Sequence, residues 1–166
     1  TLDALPLNEI VQTADIGYEN TASHFGWSVS LSSDGETFAA GAPHADPNGS
    51  SSGQVRIFRK TGEAWVQLGS DIDGETAQEQ AGFSVSINGN GSVVAIGSPV
   101  NDGKVRVYQY NVNASQWEQI GATFQDTPAG NLGRVVSLSE DGTILAIGDG
   151  SNDGGRTRVF RYEGNS

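Results

Sequence analysis

Apolar and polar positions alternate along this chain in short runs, and the runs recur. Phe25-Gly26-Trp27-Ser28-Val29-Ser30-Leu31 returns 56 residues later as Ala81-Gly82-Phe83-Ser84-Val85-Ser86-Ile87. After a further 51 residues it returns again as Leu132-Gly133-Arg134-Val135-Val136-Ser137-Leu138. Each copy then reaches an Asx-Gly pair: Asp34-Gly35, Asn90-Gly91 or Asp141-Gly142. A second apolar run follows each pair, beginning at Thr37, Val93 and Ile144 and ending in Gly41, Gly97 and Gly148. Asx-Gly between two such runs predicts a hairpin on a type I′ turn, which needs positive φ at both central residues. A third run, from Gln54 to Arg59, Lys104 to Tyr108 and Arg156 to Arg161, alternates with period two, as a strand with two different faces does. A fourth, Trp65-Val66-Gln67-Leu68-Gly69, is echoed by Trp117-Glu118-Gln119-Ile120-Gly121. No stretch holds a 3.6-residue apolar period, so the pattern predicts an all-β chain with about four short strands per repeat.

Four-stranded antiparallel repeats of this length predict β-propeller blades, which bury their faces against one another around an axis. A β-sandwich also uses many short strands but gives no reason for one hairpin to recur. The predicted blades are residues 21–73, 74–124 and 125–166, a spacing of roughly 51–56 residues. The fourth-strand pattern follows only the first two. Its counterpart stands at the other end, where Glu9 to Ile16 align with Trp65 to Ile72 at the same 56-residue offset. Residues 1–20 therefore read as a strand completing a neighbouring blade. Three blades make about half of a six- or seven-bladed propeller, since propellers typically take four to eight. The expected partner is protein: a second copy of this chain in a strand-sharing homodimer, or other blades of a longer chain or complex.

The motifs carry a family resemblance. Phe25-Gly26 with Gly41-Ala42-Pro43, then Gly82-Phe83 with Gly97-Ser98-Pro99, resemble the FG-GAP repeats of integrin α-type propellers; Leu132-Gly133 with Gly148-Asp149-Gly150 departs furthest. The fuller pattern, with Val-Arg-Val-Tyr and Trp-x-Gln-x-Gly runs, is similar to FG-GAP-like proteins of diatoms and related algae. The resemblance covers about residues 8 to 162 and implies a propeller fold; for function it implies little, since one fold hosts many. Integrin-type repeats hold calcium in a DxDxDG loop between the first two strands. Here that loop is reduced to Ser32-Ser33-Asp34-Gly35 and its two counterparts. A tight turn with one or two carboxylates cannot supply the six to eight oxygens calcium takes.

Composition narrows the function. The 166 residues include 20 acids against nine bases, for a net charge of −11, and no cysteine. The acidity argues against a nucleic-acid partner, which demands a basic footprint. The missing cysteines exclude disulfides, thiolate metal sites and cysteine nucleophiles. No apolar run approaches the ~18–20 residues of a membrane-spanning helix. Serines are plentiful, but the one GxSxG spacing, Gly49-Ser50-Ser51-Ser52-Gly53, lies in a loop of a chain with no helical period and so makes no strand-to-helix nucleophile elbow. The two histidines, His24 and His44, sit in loops beside the first repeat with no metal-ligand spacing and read as surface residues.

Among candidate residues, Asp71, Asp73 and Glu75, with Glu79 close behind, form the densest acidic cluster and are candidates for calcium at millimolar affinity; the plainer reading is a solvated acidic loop. Trp65 and Trp117 recur at one repeat position and are expected to fill the wedge between blades. Trp27 changes character between repeats, to Phe83 and Arg134, and these three are the ligand-binding candidates. Eight of the nine bases lie on or beside the third runs; Arg56, Arg106 and Arg158 match by repeat and are expected to pair with carboxylates or with carbonyls of a neighbouring blade. Asn48, Asn90 and Asn113 open N-glycosylation sequences in expected turns or loops. These features together predict a non-enzymatic, cofactor-free propeller module for adhesion or assembly outside the cell. A carbohydrate-binding propeller, with glycans as partners, is the alternative; an enzyme or a subunit of a larger complex comes third.

Overall fold

The computed structural model describes residues 11–17, 22–125, 130–150 and 154–164. Every regular element among them is a β-strand, as the period-two runs require. The first sheet takes β1 (Ser28–Leu31), β2 (Thr37–Ala42), β3 (Gln54–Thr61) and β4 (Ala64–Gln67) in order, with the short β5 (Ile72–Asp73) returning to β3. The second takes β6 (Ser84–Ile87), β7 (Val93–Ser98), β8 (Lys104–Asn111) and β9 (Gln116–Gln125). The third takes β10 (Val135–Leu138), β11 (Ile144–Gly148) and β12 (Thr157–Arg161). All ladders are antiparallel, and the register repeats: Ser28 opposes Gly41, Ser84 opposes Gly97, Val135 opposes Gly148. The expected N-terminal strand lies in part outside the described residues. Residues 11–17 pair with no strand there and run over the first sheet, where Gln12, Thr13 and Ile16 line a groove with Phe25, Phe38 and Trp65.

The hairpin turns differ from the type I′ expectation. Gly35, Gly91 and Gly142 take positive φ (73°, 70° and 73°), but the residues before them do not. The first turn closes with Gly35 N–H donating to Ser32 O at 3.0 Å, and Thr37 N–H donates to Ser32 Oγ at 2.9 Å. The reason lies in the Asx side chain. Asp34 Oδ1 accepts from Ser32 Oγ at 2.5 Å and from Glu36 N at 2.9 Å, which fixes the turn without left-handed backbone at Asp34. Asp141 repeats this with Ser139 and Thr143, and Asn88 with Asn90 supply the same acceptors in the second blade. The turns also stack from blade to blade, through Ser33 N to Gly89 O and Gly89 N to Glu140 O.

Two cores follow from the alternation. Between the first and second sheets, Ala39, Val55 and Ile57 meet Val85, Ile87, Val94 and Ile96. Between the second and third, Ala95 and Val105 meet Leu132, Val136, Leu145 and Ile147. Each fully buried Ile or Val contributes about 1.5–3 kcal/mol relative to exposure, so these junctions dominate the stability. The Ser-x-Ser of each first strand ties one blade to the next. Ser28 Oγ donates to Gly82 O at 2.8 Å and Ser30 Oγ accepts from Ile87 N at 3.0 Å. Ser84 and Ser86 repeat the pair on Gly133 O (2.7 Å) and Leu138 N (2.9 Å).

The wedge expectation for the tryptophans is met at Trp117, while at Trp65 the described residues include no adjacent blade to form a wedge. Trp117 packs against the first core, its Nε1 donating to Leu68 O at 2.8 Å, and fills the wedge. Trp65 lies on the outer face of the first sheet beside Phe38, at 4.9 Å between ring centroids. No described blade stands on that side to enclose it.

Candidate functional site

One turn, repeated in each blade, builds the candidate site. Trp27 N donates to His24 O at 3.0 Å, Phe83 N to Gln80 O at 3.1 Å and Arg134 N to Asn131 O at 3.2 Å. Glycine precedes each side chain at positive φ: Gly26 86°, Gly82 85°, Gly133 89°. Because β1, β6 and β10 are neighbours, the same turn places three successive side chains in one row. Trp27 and Phe83 lie 5.6 Å apart, and the Arg134 guanidinium stands 5.7 Å from the Phe83 centroid. Trp27 is 52% exposed. The structure thus brings together the three residues singled out because their position changes character between repeats.

It also adds two residues that the sequence reading left on the surface. His24 stacks on Trp27 with ring centroids 6.1 Å apart, and His44 closes the group edge-on, 4.8 Å from His24 and 6.0 Å from Trp27. His44 Nδ1 lies 3.4 Å from Ser51 Oγ. The signal for this grouping is faint but present: both histidines flank the first repeat, and His24 occupies the left-handed position (φ 53°) that Gln80 (φ 57°) takes in the second. The row His44–His24–Trp27–Phe83–Arg134 offers aromatic faces, imidazole hydrogen bonds and one cation. Such groups can engage a ligand by stacking and charge.

The acidic cluster is organised differently. Asp71 forms a two-pronged pair with Arg56, at 3.2 Å for each contact, and accepts from Gln67 at 2.6 Å. Asp73 accepts from Gln54 Nε2 at 2.7 Å. Glu75 pairs with Arg106 at 3.1 Å and lies 4.0 Å from Lys104. Each calcium candidate therefore faces a donor of the protein itself, and among the described residues no three His, Asp or Glu side chains form a group able to hold a metal. The solvated-loop reading fails for Glu79. It is 1% exposed, pairs with the buried Arg106 and with Lys104 (3.8 Å), and accepts from the backbone of Glu75 and Thr76. The cause is that β8 turns Arg106 towards the first blade, where the connecting segment must neutralise it. Of the glycosylation candidates, Asn90 and Asn113 are exposed, and so is Asn48, whose amide nitrogen donates to Gly74 O at 2.8 Å.

Comparison with known proteins agrees with the fold. The FG-GAP repeat profile matches residues 19–58. No curated protein matches the chain in sequence. Among solved structures, the chain is similar to the periplasmic gluconolactonase of Pseudomonas aeruginosa: TM-score 0.60, 16% identity, covering 89% of this chain and 41% of that one. It is also similar to a putative 6-phosphogluconolactonase from Bacteroides uniformis (0.58, 19%, 86% and 38%). A chain of the mitotic checkpoint complex is a third likeness (0.54, 16%, 82% and 37%). The chain spans less than half the length of each, and at these identities the likeness is one of fold. Residues 19–58 of this chain match the FG-GAP repeat, within an all-β fold of propeller type.

Proposed function

We propose that this chain is a non-enzymatic β-propeller module for protein adhesion or assembly outside the cell, and that the row from His44 to Arg134 is its recognition surface. The observation that carries this reading is the contiguity of Trp27, Phe83 and Arg134 at the exposed ends of three successive blades. Tryptophan and arginine are the residues most enriched where binding energy concentrates between proteins. The FG-GAP repeat supports the extracellular placing, and Asn90 and Asn113 are open to glycosylation there. The reading needs no cofactor.

One observation favours a second reading, carbohydrate binding: a tryptophan 52% exposed beside two imidazoles suits a sugar ring, which stacks on the indole while its hydroxyls meet the nitrogens. Binding of the chain and of Trp27→Ala to arrays of extracellular proteins and of glycans separates the two. Protein binding weakened at least tenfold in Trp27→Ala, with an unchanged melting temperature, supports the first reading. Glycan binding with the same loss moves the function to the second. Binding indifferent to Trp27 removes the row from both.

A further inference from the structure

We propose that the partner meets the row from His44 to Arg134 with an acidic, ring-bearing peptide segment in extended form, its carboxylate on the Arg134 guanidinium and its rings on Trp27 and Phe83. This rests on the assembly reading and names the chemistry of its partner.

Arg134 is set apart from the bases of the blade junctions. The chain carries 20 acids against nine bases, so carboxylate partners for a cation abound. Arg56 holds Asp71, and Arg106 with Lys104 holds Glu75 and Glu79. Among the described residues no carboxylate pairs with Arg134. Its guanidinium instead lies 5.7 Å from the Phe83 centroid, turned back over the second blade and away from the open side of the third. The stem is fixed by backbone: a Cβ on Gly150 would stand 3.0 Å from Arg134 Cδ, so the loop after β11 runs close along it. A guanidinium held at an aromatic ring keeps its fork of N–H donors for a planar acceptor, and a carboxylate matches that fork. The net charge of −11 opposes an acidic partner at long range. At physiological ionic strength that field is screened beyond about 8 Å, so the contact with Arg134 decides the sign.

The row is also evenly spaced. Trp27 lies 5.6 Å from Phe83, Arg134 5.7 Å from Phe83, and His44 6.0 Å from Trp27. Alternate residues of an extended chain stand about 6.4–6.8 Å apart on one face. A segment of about five residues therefore sets alternate side chains on Trp27, Phe83 and Arg134 in turn. Rings suit the first two places, since aromatic pairs at such separations add to the gain from burial, and Trp27 is 52% exposed. A neutral imidazole has one donor and one acceptor, the complement of the peptide unit that would lie at His44. The row is preformed, because Gly82 and Gly133 pack on the backbones of Gly41 and Gly97, so binding pays little to order it.

Peptide titrations of the isotope-labelled full chain test the proposal. The probes are end-blocked Tyr-Gly-Tyr-Gly-Asp, its Asn and Lys counterparts, and the same three reversed. Nuclear magnetic resonance follows the indole N–H signals of Trp27, Trp65 and Trp117. The Asp peptide should move the Trp27 signal alone and bind about fivefold or more tighter than the Asn or Lys peptide, as a charge-assisted contact at a partly exposed site does. Arg134→Gln should remove this preference and Arg134→Glu should turn it to the Lys peptide, both with an unchanged melting temperature, since the side chain is exposed. An Asn or Lys peptide that binds as tightly as Asp, or a preference that survives Arg134→Gln, overturns the acidic partner while the contact with Trp27 stands. A Trp27 signal moved by oligomers of glucuronic acid and by none of the peptides overturns the peptide partner. A Trp27 signal that nothing moves overturns the proposal as well; the row itself falls only when binding on the protein and glycan arrays is indifferent to Trp27.

Discussion

The backbone of Gly82 lies against that of Gly41: a Cβ built on Gly82 would stand 3.0 Å from the Gly41 Cα, with the Gly82 carbonyl in the space a Gly41 side chain would take. Gly133 and Gly97 repeat the contact at 3.1 Å. The innermost strands of successive blades can converge only if these positions lack side chains. Gly41→Ala and Gly97→Ala should therefore each destabilise the chain by about 1–3 kcal/mol through overpacking. Gly148→Ala should be neutral, or stabilising by about 0.4–1 kcal/mol, because it restricts only the unfolded chain. Urea unfolding reads all three.

The serine ties are expected to behave as buried hydrogen bonds. Ser28→Ala leaves Gly82 O without its donor and Ser84→Ala does the same to Gly133 O. Each should cost about 1–3 kcal/mol. The double variant should cost nearly the sum, since the two bonds lie at different junctions.

Glu79 is the charge on which the segment between the first two blades depends. Glu79→Ala leaves Arg106, 3% exposed, without its buried partner and frees the backbone N–H groups of Glu75 and Thr76. A loss of about 3–5 kcal/mol is expected. Arg106→Ala should cost less when Glu79 is already absent, and a double-mutant cycle in urea measures that coupling.

Acid sensitivity should reside partly in the hairpin turns. The Ser32 hydroxyl, then the Glu36 N–H, hold the Asp34 carboxyl below its ordinary value, and Ser139 with Thr143 do the same for Asp141. A lowered folded-state value means the carboxylate stabilises the fold above the unfolded value and ceases to do so as pH falls through the folded one. The melting temperature should therefore fall below about pH 4. It should fall less steeply in Asp34→Asn and Asp141→Asn, where the acceptor oxygen persists without the charge. Thermal melts across that range check the slope.

Calcium should leave the melting temperature unchanged. Asp71, Asp73 and Glu75 are each engaged by Arg56, Gln54 or Arg106, so an ion would have to displace a contact already made. Any ion bound only by the folded state must raise the midpoint. A rise on adding calcium would place a site among these carboxylates.

Much of the architecture was legible in the sequence because it rests on local, repeated chemistry. Period-two alternation and Asx-Gly pairs define the hairpins, and threefold recurrence of Phe-Gly-type turns defines the blades. Trp27, Phe83 and Arg134 could be picked out as one repeat position, since a position that changes character between copies is free of the packing that holds its neighbours constant. Other features needed the chain folded. The turn type depended on where the Asp34 carboxylate found donors. The burial of Glu79 depended on which face of β8 carried Arg106. Trp65 and Trp117 share a motif, yet one fills a wedge and the other lies on an open face, because enclosure requires the adjacent blade. His24 and His44, twenty residues apart, met Trp27 only across a loop. Repetition along the chain determines what each blade is; contacts between blades, which no single repeat contains, decide what each residue does.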